Sequence, residues 1–133
     1  MPVSLCMIDI DQFKRYNDYY GHLRGDNLLR EVVQEMKEKI PKNGFLARYG
    51  GEEFVLVLPR TEKEIAYGIA EEIRSAVEKA AFPHQKGKFG IVTISLGIAT
   101  FDKIETVADT TQLISGADDR LYEAKESGRN MVK

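Results

Sequence analysis

The chain has 133 residues, 43% hydrophobic and 30% charged, the proportions of one ordinary globular domain with enough length for a full core. A formal net charge of −2 supplies no basic field for a nucleic-acid duplex. The single cysteine excludes an internal disulfide and a multi-thiolate metal centre, and no apolar run reaches membrane-spanning length.

Val3–Ile8 is an apolar run long enough for a buried strand, with Cys6 in its core, and it ends in Asp9-Ile10-Asp11. Side chains alternate along a strand, so Asp9 and Asp11 share one face and Ile10 takes the other. This strand begins almost at residue 1 with no leader before it, which reads as a cytoplasmic domain cut from a larger protein. A short segment from Gln12 to Tyr20 stops at Gly21. A longer helix is expected from Asp26 to Ile40, with Leu28, Leu29, Val32, Val33, Met36 and Ile40 on a helical period. Pro41-Lys42-Asn43-Gly44 breaks it.

A hairpin follows: Phe45–Tyr49, the glycines Gly50 and Gly51, then Phe54–Leu58, with Glu52 and Glu53 directly after the glycines. Two glycines between such runs predict a type I′ or II′ turn, which needs positive φ. Thr61-Glu62-Lys63-Glu64 reads as a capping box, and Ile65, Ile69, Ile73 and Val77 as the buried stripe of the next helix. A loop over Phe82–Gly90 leads to a strand from Ile91 to Thr100, where Val92, Ile94, Leu96 and Ile98 alternate with smaller residues. The last helix is expected from Thr110 to Ser127, burying Leu113, Ile114, Ala117 and Leu121. Gly128 is its stop, and Met131-Val132 a final short strand. The order βααββαβα predicts an α+β fold, a mainly antiparallel central sheet flanked by helices.

Carboxylates at the ends of two strands that can lie side by side make an oxygen-rich site. Mg2+ prefers one or two carboxylates plus substrate phosphates over a full protein cage. Solvated turn residues are the simpler alternative for Glu52 and Glu53 taken alone. The helix that starts after Asp11 has amides without intrahelical partners, a natural place for a phosphate. His22 and His84 form no zinc pattern.

The stretch from Asp9 to Asp26, the Gly50-Gly51-Glu52-Glu53-Phe54 hairpin and Ala124-Lys125-Glu126-Ser127-Gly128-Arg129-Asn130 together resemble the GGDEF family of diguanylate cyclases, as a GGEEF variant. The resemblance implies a nucleotide-cyclase or polymerase-palm fold with a ferredoxin-like core. It implies a bacterial signalling domain that condenses two GTP into cyclic di-GMP, releasing two pyrophosphates. Mg2+, or Mn2+, would be held by Asp9, Glu52 and the backbone carbonyl of Ile10. Glu52, or else Glu53, would accept the proton of the attacking hydroxyl, and Lys14 would stabilise developing charge. The amides near Gln12 and Phe13 would bind phosphates, with Lys125 and Arg129 holding the terminal ones from the other side. Asn17 and Asp26, with His22 nearby, would read guanine, whose N1–H and N2 amino donors adenine lacks. Read singly, Asp26 also suits a helix N-cap.

Three departures from the family pattern carry expectations. The family often has an aromatic or histidine at the position of Gln12, a difference tolerable in a backbone contact. Pro41-Lys42-Asn43-Gly44 stands where product-inhibited members carry Arg-x-x-Asp, so feedback by cyclic di-GMP is expected to be absent or very weak. The usual upstream helix with a Leu-Thr-x-Leu-x-Asn-Arg motif is missing, so residues 1–133 read as one N-terminally truncated catalytic domain. Its partners would be GTP, a second GGDEF domain in a homodimer, and an upstream sensor or dimerisation domain. The competing readings are a catalytically silent GTP-binding regulatory module and a palm enzyme making another cyclic dinucleotide.

Overall fold

The computed structural model describes residues 1–133 and runs β1 (Val3–Ile10), α1 (Phe13–Tyr20), α2 (His22–Lys37), β2 (Phe45–Gly50), β3 (Glu53–Pro59), α3 (Lys63–Ala80), β4 (Ile94–Phe101) and α4 (Val107–Glu126). The strands form one antiparallel sheet in the order β2-β3-β1-β4. β1 is an inner strand covered on both faces, which is why its sequence is continuously apolar rather than alternating. Cys6, Ile8 and Ile10 enter the larger core with Leu28, Val32, Ile73 and Val77 of α2 and α3. Leu5 and Met7 face the other way, onto Leu113, Ala117 and Leu121 of α4. The α+β sandwich expected from the element order is the observed one.

α4 lies close to the sheet because Gly97 of β4 has no side chain. A Cβ there would stand 2.1 Å from the backbone nitrogen of Leu121. At the other end of the helix, Gly128 takes φ +126° and the Arg129 amide donates to the Ala124 carbonyl at 2.9 Å. That is the glycine stop expected from sequence, and it aims Arg129 and Asn130 back toward the end of β1. Met131–Lys133 then pairs with Leu96 and Ile98 of β4, confirming a short terminal strand contact.

Several sequence expectations shift. The cap of α3 is Glu62 without a side-chain bond, and Thr61 Oγ1 donates instead to the Pro59 carbonyl. The capping box occurs at α4, where Thr106 and Asp109 cap each other and start the helix at Val107 rather than Thr110. The buried stripe of α3 is Ala66, Ala70, Ile73 and Val77, while Ile65 is 59% exposed. Both stripes share the helical period; the small side chains win because they let α3 settle against the sheet. α2 starts at His22, four residues before the expected Asp26, with Gly21 as its cap.

Candidate active site

The turn of the β2–β3 hairpin is Gly51-Glu52, with Gly51 alone of the two glycines at positive φ, and Gly50 completes β2. Arg48 Nε donates to the Gly51 carbonyl at 2.8 Å and fixes the tip. This one-residue displacement changes which glutamate meets β1. Register sets Glu53, not Glu52, opposite Asp9. Glu52 sits just past the paired strands, its carbonyl accepting the Ile10 amide at 3.4 Å. Glu52 therefore does not face Asp9 across the sheet, yet its half-buried side chain still lines the same cavity as Asp9.

That cavity, about 140 Å³, is walled by Asp9, Ile10, Gln12, Glu52, Lys125 and Arg129. Asp9 is 5% exposed; Lys125 Nζ, from the last turn of α4, donates to its Oδ2, while its Oδ1 is buried without a partner. Burial pushes the Asp9 carboxyl up to about 6, against the pull of Lys125, and the negative charges of Glu52 and Glu53 push the same way. A buried oxygen with no donor, flanked by two further carboxylates, is stabilised by a cation. No three side chains of metal-ligating type come together as a full cage. The donor set fits an ion that takes part of its coordination from substrate oxygens, as Mg2+ does.

Asp11 turns out differently from the sequence expectation of an acidic pair. Its carboxylate accepts from Thr93 Oγ1 at 2.7 Å, Ser95 Oγ at 2.6 Å and the Asn130 amide at 3.1 Å. It is a structural group that ties β4 and the C-terminal turn to the end of β1.

Next to it Gln12 adopts φ +54°, and no side chain caps the first amides of α1, those of Phe13 and Lys14. Beyond Lys14 and Glu52 the surface opens into a second cleft of about 650 Å³, lined by Asn17, His22, Asp26 and Arg48 among others. Asn17 Oδ1 is buried without a partner and packs over Gly25, where a Cβ would lie 1.7 Å away. Asp26 lies inside α2 and is exposed, so the N-cap role is overturned and its carboxylate is free of that duty. The structure thus gathers Asp9, Ile10, Gln12, Phe13, Lys14, Glu52, Lys125 and Arg129 around one cavity, and Asn17, His22 and Asp26 around the adjoining one. Glu53 lines neither. Arg48, missed in the sequence, was detectable as the cation two residues before the hairpin glycines.

A family model described as "Diguanylate cyclase, GGDEF domain" matches residues 1–131. The chain belongs to the GGDEF family. It is 40% identical over 130 residues to diguanylate cyclase A of Treponema denticola, covering 98% of this chain and 34% of that protein. Against the diguanylate cyclase DosC of Escherichia coli K12 the identity is 39% over 132 residues, covering 99% of this chain and 28% of that protein. The chain therefore spans about a third of the curated relatives it matches. Among solved structures, the GGDEF domain of DgcB from Caulobacter crescentus, in complex with c-di-GMP, superposes with a TM-score of 0.86 at 34% identity, covering 99% of this chain and 77% of that one. The active GGEEF domain of a Vibrio cholerae diguanylate cyclase gives 0.86 at 33% identity, covering 99% and 81%. The palm-like α+β fold of this GGDEF domain is thereby shown. No helix is long and apolar enough to cross a membrane.

Proposed function

We propose that this GGDEF domain is one half-site of a cytoplasmic diguanylate cyclase. Each copy holds one GTP, and two copies facing each other join the pair into cyclic di-GMP. In each half of the reaction a 3′-hydroxyl oxygen bonds to the α-phosphorus of the opposite GTP, the bond to pyrophosphate breaks, and the hydroxyl proton leaves to a base. The observation that carries this reading is the pair of adjoining cavities. An acidic and cationic pocket of phosphate size opens past Lys14 and Glu52 into a larger cleft with polar groups for a base.

Asp9, Glu52 and the Ile10 carbonyl would hold Mg2+, or Mn2+, which when bound neutralises phosphate charge and lowers the pKa of the attacking hydroxyl. Glu52 is the proton acceptor, because it lines both cavities; Glu53, opposite Asp9 in register, adds negative charge beside it that a cation would offset. The uncapped amides of Phe13 and Lys14 face the phosphates from one wall, Lys125 and Arg129 from the other. Lys14 sits where the two cavities meet and counters the charge that develops there. Asp26 and Asn17 read guanine, with His22 on the rim of the same cleft. ATP offers the Asp26 carboxylate neither the N1–H nor the N2 amino donor, so it forfeits the hydrogen bonds that guanine makes there. Asp26→Ala should erase the preference for GTP over ATP in a folded protein; an unchanged preference removes Asp26 from base reading.

Feedback by product at the Pro41–Gly44 turn is absent in this proposal. Asn43 Nδ2 is engaged with the Pro59 carbonyl at 3.1 Å. A Cβ at Gly44 would meet Ile40 at 2.7 Å, and no guanidinium is present in the turn. Calorimetry that found tight cyclic di-GMP binding, lost on changing Lys42 and Asn43, would overturn this.

The functional test is to join two copies artificially, incubate them with GTP, ATP and Mg2+, and weigh the products. Cyclic di-GMP and pyrophosphate are expected. GTP binding without product would instead assign a silent regulatory module, and a mixed guanine–adenine product a different palm enzyme. In the full-length protein, an upstream sensor or dimerisation domain would bring the two copies together.

A further inference from the structure

His84 is buried, lies far from Asp9 in sequence, and has no role in the chemistry above. Its ring Nε2 stands 3.0 Å from the Gln12 carbonyl, so Nε2 carries the proton and donates to it. The same carbonyl accepts the Tyr16 amide at 3.1 Å, closing the first turn of α1. The other ring nitrogen, Nδ1, is buried without a partner, so the bond to Gln12 sets the ring's placement. Tyr16 meets the ring edge-on, with centroids 5.2 Å apart. Gly87 lets the loop fold over the ring, since a Cβ there would lie 2.8 Å from it.

Four residues on, the Lys88 amide donates to Gln12 Oε1 at 2.6 Å, and Lys88 Nζ donates to the Gly128 carbonyl at 3.1 Å. Gly128 is the residue before Arg129. The two walls of the phosphate cavity, the Gln12–Lys14 turn and the end of α4, are thus linked from outside by a single five-residue segment. Gln85 adds a grip on the far end of α1, its amide donating to Tyr20 Oη at 3.0 Å and its Oε1 accepting from Tyr19 Oη at 3.0 Å.

We propose that His84–Lys88 is a strap that positions the phosphate-binding turn against the α4 end, with Gln12 as its anchor on this chain. Gln12 holds a left-handed conformation with no cap of its own, and the strap replaces that missing support. The difference at Gln12 from the family pattern is then functional: a side-chain amide oxygen is needed for the Lys88 amide to bind. The inference rests on the nucleotide reading and sharpens it. His84, Gln12 and Lys88 act on the triphosphate end and not on the base cleft, which the strap does not touch.

The test uses the full chain with His84→Phe, Gln12→Ala and Lys88→Met, and His84→Gln as the conservative replacement that retains a donor. Titration calorimetry is run with Mg2+ and a non-hydrolysable GTP analogue, and separately with GMP. His84→Phe and Gln12→Ala should weaken the triphosphate three- to ten-fold and leave GMP binding unchanged, Lys88→Met should do the same more weakly, and His84→Gln should recover most of the loss. His84→Phe also removes the unpartnered Nδ1, so the fold should survive it. Hydrogen exchange, measured without nucleotide, should quicken in His84→Phe at the hydrogen-bonded amides of Tyr16, Lys88, Arg129 and Asn130. Equal weakening of GMP and triphosphate, or unchanged exchange, overturns the strap. A wild-type chain whose exchange responds as expected but which binds neither nucleotide refutes the nucleotide reading, and with it the strap's role toward phosphate.

Discussion

Asp9 and Asp11 stand two residues apart at the end of one strand, and both are buried, at 5% and 4% exposure. Their surroundings are opposite. Asp11 accepts three hydrogen bonds from Thr93, Ser95 and the backbone of Asn130. Asp9 has one partner, Lys125, an oxygen with none, and two glutamates nearby that disfavour its charge. A buried carboxylate whose needs are met by the protein holds the fold together. One left partly unmet is free to hold something that arrives, the role proposed above for Asp9.

The largest test of this contrast is activity. Asp9→Asn should lower cyclic di-GMP formation by about 10³-fold or more, the scale of losing several kcal/mol of metal-assisted stabilisation. A variant within ten-fold of the parent would remove Asp9 from the metal role. Asp11→Ala should act on stability instead. Three donors lose a charged acceptor, two of them on buried side chains, so urea unfolding should show a loss of about 3–5 kcal/mol. A loss below about 1 kcal/mol would show that Asp11 is not the structural member of the pair.

The third test uses pH. The folded Asp9 carboxyl is raised from 3.8 to about 6, so its contribution to metal-free stability is fully present below about pH 4 and lost as pH rises through about 6. The loss amounts to about 2–3 kcal/mol. Asp9→Asn should therefore be more stable than the parent at pH 8 without metal, the advantage closing toward pH 4. Lys125 is about a third exposed and can turn to water in that variant. A difference that does not change with pH would contradict the assigned shift. The smallest effect is at Lys125 itself. Because it occupies Asp9 Oδ2, Lys125→Met should bind Mn2+ alone several-fold more tightly, by calorimetry. Unchanged affinity would mean that the lysine does not compete with the cation.

Much of this was legible in the chain. The apolar run of β1, the glycine stop after α4 and the three motifs that place Asp9, Glu52 and Lys125 are all local patterns, read from period and residue type. The stripe of α3 was not, because Ile65-Ile69 and Ala66-Ala70 fit the same period and only the approach of the sheet selects the smaller pair. The start of α2 was missed because Gly21 caps it without a polar side chain, which hid the exposed, in-helix setting of Asp26.

By itself, then, the sequence determined the order of the elements, which follows from periodicity, and, through the resemblance of its three motifs, the family and the residues available to the site. Only the tertiary structure decided how those residues divide the work. Moving the turn to Gly51-Glu52 puts Glu53 opposite Asp9 and Glu52 in the cavity, because register follows the backbone geometry of the tip rather than the position of the glycines. Likewise Asp11 became structural and His84 a neighbour of Gln12 through contacts more than seventy residues apart in the chain. No local pattern encodes such contacts; they exist once the sheet and helices have packed.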